Sequence, residues 1–166
     1  MRKESVDMKI TLLTVGKIKE KFYTEAIKEY SKRLSRYCKL EIIEVADEKT
    51  AENASEHEEN LIRSKEGERL KKYIKEGAYV ISLAIEGKQH SSEEFSEKLH
   101  TLGLHGESHI IFIIGGSIGL SPEILKESKE LLSFSKMTFP HQLMRVVLLE
   151  QIYRGFRIMN GEPYHK

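Results

Sequence analysis

The sequence predicts an α/β fold with a mostly parallel sheet and helices on both of its faces. Short β-branched apolar runs alternate with longer segments whose apolar residues recur at helical spacing, in the order βαβαβαβαβα. The strand runs are apolar almost throughout instead of alternating with polar residues, as expected of strands covered on both sides. No internal repeat, low-complexity tract or Pro/Ser-rich linker divides the chain, so one domain is the simplest account.

The elements follow in order. Ile10–Val15 is a β-branched run that stops at Gly16, which predicts a buried strand. Phe22, Ala26, Ile27, Tyr30 and Leu34 recur at helical spacing, so Lys21–Arg36 is an amphipathic helix. Leu40–Val45 is a second strand. Residues 47–60 are acidic and polar and predict a loop or a frayed helix start. Leu61, Leu70, Tyr73 and Ile74 then mark a helix to about Lys75, with Gly77 past its end. Tyr79–Ile85 is a third strand. Ser91 or Ser92 caps a helix holding Phe95 and Leu99, and Glu93 and Glu94 suit the positive end of its dipole. His109–Ile114 is the most apolar strand and runs into Gly115-Gly116-Ser117-Ile118-Gly119. Ser121-Pro122-Glu123 has the cap, proline and acid of a helix start. Lys136–Phe139 predicts a last short strand, and Pro140 opens a long helix over His141–Met159. That helix is apolar nearly all round, which demands burial on more than one side. At the end of the chain, a second copy is the expected cover, giving a homodimer; the alternative is a central helix within a monomer.

Composition narrows the class. With 39% hydrophobic and 32% charged residues over 166 positions, the balance is globular. No apolar run is long enough to span a membrane, and residues 1–7 lack the apolar region of a signal peptide. The single Cys38 excludes an internal disulfide and a multi-cysteine metal site. The expectation is a cytoplasmic protein with no membrane partner and no metal. Residues 1–7 read as an N-terminal extension, and residues 8–166 as the domain. The net charge of +1 offers nothing to nucleic acid. Its distribution differs: residues 17–39 carry eight basic and three acidic side chains, and residues 134–166 carry five and two. The middle of the chain is acidic. Two basic ends predict a surface for phosphates.

Three motifs carry candidate chemistry. The glycine loop after the apolar strand stands where open α/β sheets bind ligands, but it is neither a dinucleotide fingerprint nor a Walker loop. It also matches GxSxG with Ser117 central, which raises a serine hydrolase. Against that, the helix signal starts four residues later, and the only aspartates, Asp7 and Asp47, lie upstream. His100, His105 and His109 sit near a turn without metal-site geometry. At the end, Glu150, Arg154 and Arg157 form a polar stripe, followed by the tail Gly161–Lys166; by itself such a tail reads as a frayed end.

The stretch LSFSKMTFPHQLMRVVLLEQIYR (132–154), the strand and loop FIIGGSIGL (112–120) and the terminal Pro163-Tyr164-His165-Lys166 resemble the RlmH family. The opening KITLLTVGK and the segment Lys65-Glu66-Gly67-Glu68 fit as well, so the resemblance runs from Met8 to Lys166. These are SPOUT-class methyltransferases of bacterial large-subunit ribosomal RNA. The resemblance implies an α/β sheet with a C-terminal deep trefoil knot, a feature rare among folds, and a homodimer with the last helix at its interface. It implies S-adenosyl-L-methionine as cofactor and methylation at N3 of a pseudouridine in helix 69 of 23S ribosomal RNA, on assembled ribosomes. Carried over by position, the cofactor contacts fall on Leu83, Gly115, Phe134, Ser135, Lys136, Met137, Thr138 and Phe139, and the catalytic candidates are Arg154, Tyr164 and His165. Arg154 is assigned to a phosphate or base carbonyl, Tyr164 to stacking on the base, and His165 to base contact or proton acceptance. A non-enzymatic ribosome-binding module is the alternative of a different class; it would not need to bind the cofactor.

Overall fold

Five strands and five helices alternate along residues 8–166, which the computed structural model describes; the extension assigned to residues 1–7 lies outside them. They are β1 (Lys9–Val15), α1 (Lys21–Leu34), β2 (Lys39–Val45), α2 (Glu56–Lys71), β3 (Tyr79–Gln89), α3 (Ser92–Leu104), β4 (His109–Ile114), α4 (Pro122–Glu127), β5 (Glu130–Ser133) and α5 (His141–Met159). The strands are all parallel, in the order β2-β1-β4-β3-β5. The apolar β1 and β4 lie side by side at the centre, with Ile10 opposite both Leu40 and Ile110.

Two hydrophobic layers cover the sheet. Ile10, Leu12 and Phe112 meet Phe95 and Leu99 of α3 and Leu148 and Ile152 of α5 on one face. Leu13, Val15, Ile111 and Ile113 meet Leu70 of α2 and Ile124 of α4 on the other. The connections β1–β2 and β3–β4 step toward the β2 edge past α1 and α3. Those from β2 to β3 and from β4 to β5 step the opposite way past α2 and α4. All four therefore share one hand, as parallel crossovers do.

Three expectations meet the structure in different ways. Of the two readings of residues 47–60, loop or helix start, both apply: α2 begins at Glu56, where the Ser55 hydroxyl accepts the Glu58 N–H at 3.1 Å and Glu56, Glu58 and Glu59 occupy the first turn. Carboxylates there answer the helix dipole. Lys136–Phe139, by contrast, is not a strand. The last strand is β5, where Leu131 and Leu132 pair with β3, and residues 136–139 form an exposed connection. Finally, α5 lies in the middle of its layer, between α1 and α3. Ser96 Oγ donates to the Gly155 carbonyl at 2.6 Å, Tyr153 rests near Tyr30 and Tyr37, and no residue of α5 is exposed. Leu143, Met144, Val146, Val147, Ile158 and Met159 nevertheless remain only partly buried within one chain, so the central place of α5 does not by itself decide for or against a homodimer.

Candidate functional site

Past the strand ends, the chain does something the apolar runs did not announce. β3 continues beyond Ile85 to Gln89, and Leu132 of β5 stands opposite both Leu83 and Lys88. Residues 84–87 therefore bulge out of the ladder. Gly87 makes this possible, because a Cβ there would stand 2.6 Å from the Leu131 carbonyl carbon. The bulge, the glycine loop after β4 and the connection after β5 enclose a cavity of about 850 Å³. Small-molecule sites span roughly 300–1,000 Å³ and are mainly apolar with a few polar groups.

All eight positions assigned to the cofactor, Leu83, Gly115 and Phe134–Phe139, lie in or beside this wall; Lys136 alone does not line it. Gly115 is required by close approach: a Cβ would meet the Gly119 carbonyl carbon at 2.9 Å. Gly119 closes the loop with φ +83°, a left-handed conformation that favours glycine, and donates its N–H to the Gly116 carbonyl at 3.1 Å. On the β5 side, Ser135 Oγ accepts the Met137 N–H at 3.0 Å and shapes the connection. Ile85 and Met137, 55% and 74% exposed, form an apolar rim.

The first turn of α5 adds His141 and Met144 to the wall. Burial, with the nearby Arg145 charge, holds the His141 imidazole below its ordinary pKa, which keeps it neutral at pH 7. Position-wise transfer omitted both residues; their place directly after Pro140 was the available signal.

Arg154, Tyr164 and His165 do come together, but not at this cavity. Glu150 accepts from Arg154 Nε at 2.9 Å and from the Tyr164 hydroxyl at 3.3 Å. Arg154 lies 4.8 Å from the Tyr164 ring centre. His165 Nδ1 is 3.1 Å from Arg154 NH1, and its Nε2 is 2.6 Å from Glu93 Oε1 at the start of α3. Burial, with Glu150 close by, pushes the Tyr164 phenol up to about 12. The tail is thus folded against α5, where a frayed end was expected. Arg157 reinforces it, donating to Glu162 and to the Pro163 carbonyl, both at 2.7 Å. Met144 lines the cavity, and Arg154 follows ten positions later, about 15 Å along the helix axis.

The two basic segments meet, since α1 packs on α5 and Arg33 lies over the rings of Tyr30 and Tyr153. They contribute unequally. Arg145 is buried, and Arg154 and Arg157 are ion-paired with Glu150 and Glu162. The exposed positive surface comes mainly from Lys17, Lys19, Lys28 and Lys32, with Lys21 paired to Glu25 at 3.9 Å. Ser117 is not at a nucleophile elbow, because α4 starts only at Pro122. His109 is held by Thr11 Oγ1 at 2.8 Å, and among the described residues no three His, Cys, Asp or Glu side chains group to hold a metal ion.

Comparison with known proteins adds an independent line. The family model described as "Predicted SPOUT methyltransferase" matches residues 8–165. The chain is 67% identical over 159 residues to the ribosomal RNA large subunit methyltransferase H of Bifidobacterium adolescentis, covering 96% of this chain and 100% of that protein. It is 62% identical to the protein of the same name from Clostridium kluyveri and 60% identical to that of Clostridium tetani, each with the same coverage. Among solved structures, a probable methylase family protein from Haemophilus influenzae superposes with a TM-score of 0.52 at 13% identity, over 97% of this chain and 71% of that one; this supports the fold alone.

Proposed function

The chain belongs to the SPOUT methyltransferase family, and from that premise we propose that it methylates large-subunit ribosomal RNA with S-adenosyl-L-methionine as donor. One observation carries this most strongly: three segments far apart in sequence, each assigned to the donor, converge on one cavity at the carboxyl ends of β3, β4 and β5. The residues fit such a molecule. The cavity is large enough, mostly apolar, and narrowed by a glycine cradle that a Cβ at Gly115 would fill. Leu83, Gly115 and Phe134–Phe139 would hold the donor through main chain and apolar contact. The donor supplies an already activated methyl group.

The chain's own residues must then exclude water and orient the accepting base, chiefly a proximity effect. For N3 of a pseudouridine in helix 69 of 23S ribosomal RNA, the N–H proton has to leave. His165 is assigned to receive it, Arg154 to offset the developing negative charge, and Tyr164 to stack on the base. Within one chain these groups stand about 15 Å along α5 from the cavity wall. A homodimer in which each copy's tail faces the other's cavity unites them. The knotted return is part of the same proposal: the chain leaves β5 at the sheet edge and re-enters on the opposite face between α1 and α3. A cytoplasmic setting follows from a ribosomal substrate.

The decisive experiment is mass spectrometry of helix 69 nucleosides from ribosomes incubated with protein and donor. A new methylated pseudouridine is expected, and a reduced yield with His165→Ala at unchanged donor affinity. An unmodified helix 69 would refute the target; no donor binding at millimolar concentration would refute the enzyme.

A further inference from the structure

Lys65-Glu66-Gly67-Glu68 contributes nothing to the cavity wall, yet Glu66 and Gly67 are two of only three buried residues of α2. Arg63, Glu66 and Gly67 fall three and four positions apart and share one helix face. That face lies behind the glycine loop. Arg63 Nε donates to the Ile118 carbonyl at 2.8 Å. Gly67 is pressed against Ser121, the cap of α4: a Cβ would stand 2.6 Å from the serine Oγ. Between them Glu66 is 4% exposed. Its Oε2 accepts the Glu48 N–H at 2.9 Å. Its Oε1 is buried with no hydrogen-bond partner and lies beside Gly116, where a Cβ would stand 3.4 Å away.

A buried carboxylate oxygen without a partner is costly, and such groups ask for an explanation. The charged groups nearest Glu66 are Asp47, Glu48 and Arg69. Arg69 is engaged elsewhere, with the Ala46 carbonyl at 2.9 Å and Glu48 at 3.0 Å. The Glu66 carboxylate thus faces the back of the loop whose front lines the cavity.

We infer that α2 is the back wall of the donor site: Arg63 sets the shape of the glycine loop, and Glu66 is a positioning residue whose carboxylate favours a cationic ligand over its neutral counterpart across that loop. The inference rests on the donor site proposed above. S-Adenosylmethionine carries a sulfonium cation, whereas S-adenosylhomocysteine, left after methyl transfer, is the same molecule without the methyl group and its positive charge. In a poorly hydrated wall a carboxylate acts over a longer range than in water. The wall would then retain the donor and loosen the product.

Titration calorimetry of the full-length protein with each of the two ligands tests this. Burial raises the Glu66 carboxyl above its ordinary range, so the assay is run at about pH 8. Glu66→Gln, nearly isosteric, is expected to weaken S-adenosylmethionine on the order of fivefold and to leave S-adenosylhomocysteine unchanged. Glu66→Asp should keep the wild-type preference. Arg63→Met should weaken S-adenosylhomocysteine, the uncharged ligand and the cleaner reporter of loop shape, because Arg63 also pairs at 3.6 Å with Glu59 in the cavity wall. An affinity ratio in Glu66→Gln equal to that of wild type would overturn the role of the charge, and undiminished S-adenosylhomocysteine binding in Arg63→Met would overturn the role of the loop contact. A wild-type protein that binds neither ligand would instead overturn the donor site itself.

Discussion

Arg145 is 1% exposed and carries a full charge, so its surroundings must answer it. It donates to Glu44 Oε2 at 2.7 Å and to the carbonyls of Val15 and Gly16 at 2.9 and 2.8 Å. These bonds tie the first turns of α5, which include the cavity residues His141 and Met144, to the ends of β1 and β2. Arg145→Met leaves the buried Val15 and Gly16 carbonyls without this donor, while Glu44, partly exposed, keeps the Ile18 N–H at 3.2 Å; the loss is expected to cost about 1–3 kcal/mol in urea unfolding. Lysine should not restore it, because a single ammonium lacks the planar fork that spans three acceptors. Glu66 works in the opposite sense. Its pKa is raised on folding, chiefly by burial. The penalty is absent below the ordinary carboxylate range and grows as pH rises through the raised value. Glu66→Gln should therefore raise Tm at about pH 8 and change it little at about pH 4; a gain equal at both pH values would show that ionisation is not the burden. Neither residue's role was visible in the sequence. Arg145 read as one basic residue of a basic end, and Glu66 as one acid in an acidic stretch, because burial and partners are not properties of a position in a string.

At the scale of elements, caps and periods were the legible features. Ser91 closes a capping box on α3, accepting the Glu94 N–H at 3.0 Å while its own N–H donates to Glu94 Oε1 at 2.9 Å. Ser91→Ala is expected to cost about 1 kcal/mol by thermal or urea unfolding. Ser121-Pro122 starts α4 as its residues require, and α5 has the limits its apolar spacing predicts. α2 was only half legible: its face toward the sheet is built from Glu66, Gly67 and Leu70, which leaves no apolar stripe to read. β5 was hidden for a similar reason, since four residues at a sheet edge need only one apolar pair. The doubled pairing of β3 and β5 depends on Gly87. Gly87→Ala brings a Cβ within 2.6 Å of backbone at Leu131, and an overpacked contact of this kind costs about 1–3 kcal/mol. Since Leu132 and Ser133 of β5 line the cavity, donor affinity should fall together with Tm; a variant that lost neither would show that the bulge relaxes freely.

For the whole molecule, the near-neutral total charge conceals a basic α1 lying on α5, offset by α2, α3 and α4, each of which carries a net negative charge. Ribosome affinity should accordingly fall as salt rises, through counterion release; an affinity flat in salt would leave the α1 lysines without a role. The separation of the cavity from Arg154, Tyr164 and His165 makes a stronger prediction. Gly115→Val blocks the glycine cradle, and His165→Ala removes a tail group, so in the homodimer proposed above the first variant alone should be inactive and the second impaired. Mixed and re-equilibrated, half of the dimers are heterodimers with one complete site each, which should restore about a quarter of wild-type turnover. No recovery on mixing would mean that each chain works alone, with the tail moving to its own cavity.

The sequence by itself determined the class of the fold, most element limits and the segments that line the cavity, because periods, caps and motifs are written in neighbouring residues. Only the tertiary structure decided the strand order, the place of α5 between α1 and α3, the distance of the tail from the cavity and the carboxylate behind the glycine loop. The physical reason lies in separation along the chain. Arg63 and Ile118 are 55 positions apart and Arg145 and Glu44 are 101 apart. Many packings bury the same apolar pattern equally well, and contacts of that range select one of them.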